Sequence, residues 1–154
     1  MAPLKRHQAL VSFSRDHHNG LLLVWKIREG EKQNVDPKRI ADYVLFAFKE
    51  ELEPHFNDEE KWLFPELPAD NPGRLKAEED HRFIRQLVED LRTTPEMPLL
   101  TRFADALEAH IRFEERELFN EIQQIPEERL APIEARFLGH TCATDDGWGD
   151  TFWK

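Results

Sequence analysis

The sequence predicts an all-α protein, an antiparallel up-down four-helix bundle with a short extra C-terminal helix and a tail. Three observations carry that prediction. Four long segments repeat apolar residues at helical spacing, the breaks between them are short and rich in Pro, Gly, Asn and Asp, and no segment alternates in the manner of a half-buried strand. At 154 residues the chain is expected to form one bundle domain over 1–138, with a tail over 139–154.

The first helix is expected from about Gln8 to Glu29, with Leu10, Phe13, His17, Leu21 and Val24 on one stripe and Gly30 as its terminator. The second opens at Asp36-Pro37, an N-cap followed by proline at the first helical position, and runs to about Phe64. Pro54 lies inside it and should kink it locally, just before His55. Pro65, Pro68 and Asn71-Pro72-Gly73 then turn the chain into a third helix, from about Arg74 to Leu91, with Ala77, His81, Ile84, Val88 and Leu91 inward. A fourth, from about Pro98 to Gln124, carries Phe103, Leu107, His110, Glu114 and Leu118 on one stripe. Glu127 to Leu138 is a short fifth helix. The tail contains Trp148, Phe152 and Trp153, which are expected to pack back on the bundle or to dock a second copy or another protein.

Composition narrows the partners. A net charge of −10 with no basic face argues against nucleic acid, whose phosphates need cations to neutralise them. The longest apolar run, Leu21 to Trp25, is far shorter than the ~18 residues of a membrane span, and the first residues lack a signal-peptide core. A cytoplasmic, unprocessed chain is the expectation. Cys142 is the only cysteine, which excludes an internal disulfide and thiolate-rich metal sites. Any metal must therefore be held by nitrogen and oxygen, ligands that suit iron, manganese or zinc.

One helix segment occurs twice. Residues 55–67 read HFNDEEKWLFPEL and residues 110–122 read HIRFEERELFNEI, so His55 and Glu59, like His110 and Glu114, stand one turn apart on a single helix face. Arg15-Asp16-His17-His18 and Glu79-Asp80-His81 add one inward histidine each on the first and third helices. A single inward histidine is usually an ordinary core residue. Burying four imidazoles and two carboxylates together, however, would cost several kcal/mol per uncompensated ion against a total stability of ~5–15 kcal/mol. A two-metal centre removes that penalty, because cations satisfy the lone pairs and neutralise the glutamates. The neighbouring Glu60, Glu115, Glu117 and Glu121 alternate with Lys61, Arg112 and Arg116 and are expected to form a solvated face, about 100° from the inward residues that they follow.

RDHHNGLLL, HFNDEEKWLFPEL, EDHRFIRQL and HIRFEERELF together resemble the hemerythrin-like family of HHE cation-binding domains, over roughly residues 8–124. The resemblance implies a bundle holding a non-haem di-iron centre with a bridging oxo or hydroxo group. Glu59 and Glu114 would be the bridging carboxylates, and His55, His81 and His110 terminal ligands. The first-helix ligand is His17 or His18; His17 shares the apolar stripe, and Asp16-His17 matches Asp80-His81. Manganese or zinc could replace iron on such ligands. The chain departs from oxygen-carrying hemerythrins in two places. Arg85 stands where their third helix supplies a second histidine, and Glu114 follows its histidine by four residues where they have an aspartate at five.

The expected activity is binding, sensing or redox processing of a small molecule such as oxygen, nitric oxide or a peroxide. Glu78, one turn before His81, and His7 are further candidate ligands, with surface roles the simpler expectation; His140 is expected outside the bundle. Trp25, Phe48, Trp62, Phe103 and Phe113 are candidates to wall the site. Three alternatives stand beside this reading. A ferritin-like di-iron oxidase would need Glu-x-x-His twice, and only Glu78 with His81 fits. A zinc hydrolase would need Glu60 or Glu115 as general base. A metal-dependent regulatory module, an iron sensor, would use the aromatic tail.

Overall fold

The computed structural model describes residues 5–140 and 146–154; Cys142 and the first four residues lie outside that range. Five helices make up the fold, and the described residues contain no strand. Helix α1 is Gln8–Lys32 and α3 is Pro72–Thr93. Helix α2 is continuous over 37–66 but changes its winding along the way. Pro37–Ala47 and Glu53–Asp58 are α-helical, Phe48–Leu52 and Glu59–Leu63 are π-turns, and Phe64–Glu66 is a 3₁₀ turn. Helix α4 spans 97–122 as Met97–Phe113, a π-turn over Glu114–Leu118 and Phe119–Ile122. Helix α5 is Glu127–Phe137. None is long and apolar enough to cross a membrane.

Caps explain most of the boundaries. The His7 side chain accepts from the Ala9 N–H, Asp36 accepts from Lys38 and Asn71 accepts from Arg74, each satisfying an amide that the first helical turn leaves free. Helix α1 runs through Gly30, its expected terminator. It ends instead at Lys32, and Asn34, just past the cap, has a φ of 56°, the left-handed conformation that closes a helix. Gly30 serves packing: a Cβ there would lie 2.7 Å from Ile40 Cδ1 and 3.0 Å from the Phe152 ring. Gly30→Val is accordingly expected to destabilise the fold by ~1–3 kcal/mol, as overpacked core positions do, which a urea melt would measure.

The core is split in two. One apolar cluster contains Val24, Ile27, Ile40, Phe48, Phe56, Ile84, Phe103 and Leu107; the other contains Leu10, Phe13, Leu63, Phe64, Ala77, Leu118 and Phe119. Along α1 the chain passes from the second cluster to the first, along α2 from the first to the second, and α3 and α4 repeat that alternation. Successive helices therefore run in opposite directions, as an up-down bundle requires. On each of α1 to α4 the histidine falls near the crossing. Helix α5 covers one end through Leu130, Ile133 and Phe137, and the tail covers the other, with Phe152 buried and Trp148 and Trp153 packed on the first cluster. The tail aromatics are thus engaged with their own chain.

Candidate metal centre

The layer between the two apolar clusters is polar and buried. His17, His55, Glu59, His81, His110 and Glu114 are each at most 5% exposed. Their ligand-type atoms fall into two groups of four, His17, His55, Glu59 and Glu114 on one side and Glu59, His81, His110 and Glu114 on the other, with the atoms of each group within 4.8 Å of one another. Both glutamates belong to both groups. His18, the alternative first-helix ligand, is exposed on α1 and outside the layer; His7 caps that helix, Glu78 pairs with Arg74 at 3.5 Å, and His140 is exposed after α5.

Each of the four layer histidines has one nitrogen inward and one held from outside. His17 Nδ1 meets Glu115 at 2.9 Å, His55 Nδ1 meets Asp16 at 2.9 Å, His81 Nδ1 meets Glu60 at 2.7 Å and His110 Nδ1 meets Asp80 at 3.0 Å. An ionised carboxylate only accepts, so Nδ1 carries the proton and Nε2 is the ring atom turned to the centre. His17 Nε2 lies 2.9 Å from Glu114 Oε1, His55 Nε2 3.3 Å and His81 Nε2 3.1 Å from Glu59 Oε1, and His110 Nε2 3.2 Å from Glu114 Oε1. This is the outer-carboxylate arrangement that fixes an imidazole's tautomer in metal sites.

Glu60 and Glu115 are therefore not the solvated face that the sequence suggests. Each points away from its own helix's inward stripe, as the 100° step requires, but in doing so it reaches the histidine of the adjacent helix. A one-helix projection cannot reveal that. Asp16 and Asp80 have the same role toward His55 and His110, and the signal for all four was the repeated Asp-His and Glu-Glu pairing itself.

The π-turns complete the layer. Phe64 N–H bonds to Glu59 C=O and Phe119 N–H to Glu114 C=O, five residues back, so the Leu-Phe pair ending each repeat returns inward. Phe119 stacks on His17 with centroids 5.1 Å apart and planes at 13°, while Phe64 leans on His81 at 5.3 Å. Phe56 stacks on the same His81 ring at 3.9 Å, and Phe13 lies 5.8 Å from His55. These rings wall the layer. Of the aromatics nominated from sequence, Trp25 is instead half exposed, because its position eight residues after His17 has rotated off the inward stripe, and Phe48 and Phe103 belong to the apolar core.

Protons alone cannot satisfy this arrangement. His81 Nε2 and His110 Nε2 face one another at 3.2 Å, and His55 Nε2, Glu59 Oε2 and Glu114 Oε2 are buried without a hydrogen-bond partner. One doubly protonated ring beside a neutral one would satisfy the His81–His110 contact, but it would leave the other three atoms unpaired. Cations placed among the six residues would satisfy those atoms, so the donor set fits a metal.

Burial opposes the charged imidazoles, yet the hydrogen bonds and charges of Glu114 and Glu115 raise His17, and Glu59 with Asp16 holds His55 well above its ordinary value. His110 likewise overcomes burial through Glu114 and Asp80 and is pushed up to about 10. Burial would raise Glu60, but His81 and Arg85 hold it at about 2. His110 thus stabilises metal-stripped protein fully below 6.5 and loses that contribution as pH rises through about 10, and the raised values of His17 and His55 act in the same direction. Glu60 contributes above 4.5 and loses its contribution as pH falls through about 2. Chelator-stripped protein should therefore melt at a lower temperature at pH 9 than at pH 6, whereas the metal-loaded protein, needing deprotonated imidazoles, should show the opposite order. Paired thermal melts at the two pH values check this.

The family of the hemerythrin HHE cation binding domain matches residues 9–122, which span all four long helices and all six layer residues. No curated protein and no solved structure matches the chain.

Proposed function

The chain belongs to the hemerythrin HHE cation-binding domain family, and from that premise we propose that it is a non-haem di-iron protein that binds, senses or redox-processes oxygen, nitric oxide or a peroxide. His17 and His55 would serve one ion, His81 and His110 the other, and Glu59 and Glu114 would bridge them. The observation that carries this reading is the convergence of four Nε2 atoms and two shared glutamates in two groups of four. Iron so held would supply electrons, or an acceptor position, for a small oxidant or gas.

The surroundings favour a small uncharged ligand. Phe13, Phe56, Phe64 and Phe119 are each at most 2% exposed and present apolar faces around the histidines. A charged organic substrate would lose its hydration there without compensating partners. Two imidazoles per ion, where oxygen-carrying relatives have an extra one, leave more coordination positions for an incoming molecule. The ferritin-like alternative would rely on Glu78, the acid of its single Glu-x-x-His match, and that residue is paired with Arg74.

Anaerobic purification followed by metal analysis, then absorption spectra on adding oxygen, nitric oxide or azide, tests the proposal. Two irons per chain with a ligand-dependent charge-transfer band are the expected result. Fewer than one metal ion per chain after loading, or a spectrum indifferent to every ligand, would overturn it.

A further inference from the structure

Arg85 reads from sequence as the loss of an imidazole, one turn beyond His81. Its position in the structure is more informative. The guanidinium grips Glu60 with both terminal nitrogens, Nη1 at 2.7 Å from Oε2 and Nη2 at 3.2 Å from Oε1. Nε donates to Glu53 at 3.2 Å and Nη2 also to Asn57 at 3.1 Å, so the fork is fixed by three residues on one face of α2. Its Cζ lies 5.6 Å from the centre of the Phe56 ring. Both groups beneath it act on one imidazole: Glu60 holds His81 Nδ1 at 2.7 Å, and Phe56 stacks on the His81 face at 3.9 Å.

We propose that Arg85 is a positioning residue which, through Glu60 and Phe56, holds the His81 imidazole with Nε2 aimed at the shared glutamates. Glu60 is a third exposed and, without a partner, would be drawn to water like any surface glutamate. The bidentate fork keeps both of its oxygens in the crevice between α2 and α3, a geometry that an ammonium cannot reproduce. The other half of the layer lacks this clamp. There the Glu115 carboxylate takes hydrogen bonds of 2.8 and 3.1 Å from the Ser14 hydroxyl, and Arg6 donates to the Glu115 backbone carbonyl at 2.8 Å while standing 3.7 Å from the carboxylate, an ion pair without the bidentate fork. The position four residues after His17 is Leu21, which offers no cation. Arg85 thus makes the two histidine pairs inequivalent, with His81 the more firmly oriented.

The inference rests on the metal reading above, and its test separates the two. Chelator-stripped wild type, Arg85→Ala and Arg85→Lys are titrated with zinc, and the Nδ1–H resonances of His81 and His17 are followed by NMR in zinc-loaded protein. Loss of an outer-shell partner typically weakens metal affinity 10–100-fold, so about tenfold or more is expected for Arg85→Ala, with partial recovery in Arg85→Lys. The His81 Nδ1–H signal should broaden through faster exchange with water while that of His17 is unchanged. Wild-type affinity with an unaltered His81 signal in Arg85→Ala overturns the inference alone; a wild-type chain that takes up no zinc overturns it together with the metal reading. If Arg85→Ala does not fold, Arg85→Gln carries the same two outcomes.

Discussion

Replacing both shared glutamates, Glu59→Ala with Glu114→Ala, is expected to abolish metal uptake and the stability that comes with it. Each belongs to both groups of ligand-type atoms, so no pairing of the remaining histidines offers either ion a carboxylate. The size of the effect follows from linkage. An ion present at a thousand times its dissociation constant stabilises the native state by ~4 kcal/mol. In a domain of this size that raises the melting temperature by roughly 8–16 °C per ion. Wild type should gain this on metal addition and the double variant should gain nothing. Because alanine also leaves space in a buried layer, Glu59→Gln with Glu114→Gln is the companion variant. It preserves volume and should fold, yet show the same indifference to metal. A double glutamine variant stabilised by metal as much as wild type would contradict the assignment.

Phe56→Ala should be among the most damaging single substitutions outside the glutamates. The ring is 1% exposed and meets Phe48 edge-on at 6.2 Å, His81 stacked at 3.9 Å and His110 edge-on at 5.8 Å. Truncating such a phenylalanine costs ~3–5 kcal/mol through lost burial and the cavity left behind. It also frees one face of His81, so metal affinity should fall as stability does. Phe83→Ala on the same bundle is the control. Phe83 is 51% exposed, and its loss should change stability by no more than ~0.5 kcal/mol in a denaturant titration.

Much of the fold was legible because its determinants are local. Asp36-Pro37 announces α2, and the stripe Phe103, Leu107, His110, Glu114, Leu118 is buried along its length. Gly30 misled for a physical reason. Glycine ends helices when a left-handed residue is needed, but here its missing side chain admits Ile40 and Phe152, and only the tertiary structure tells the two uses apart. The π-turns were invisible for a related reason. Helical periodicity describes a ladder of i→i+4 bonds, and the one-residue expansion at Glu59 and Glu114 is set by what the bundle must bring inward.

The candidate site was legible as a set of types and spacings, and its outer half was not. Glu59 and Glu114 could be read from their place one turn after a histidine. Glu60 and Glu115 were misjudged because each is peripheral on its own helix and close only to a histidine on another. Asp16 and Asp80 were visible as companions of His17 and His81, but they hold the histidines of other helices, His55 and His110. Arg85 could be recognised as a departure from a family pattern. Its hold on Glu60 needed the packing of α3 against α2.

The proposal that the buried layer holds two metal ions can be put to anomalous diffraction from crystals of the iron-loaded protein. The prediction is two peaks per chain, one among His17, His55, Glu59 and Glu114 and one among Glu59, His81, His110 and Glu114. A chain that crystallises from iron-loaded solution with no peak in this layer, or with peaks only at its surface, would contradict it.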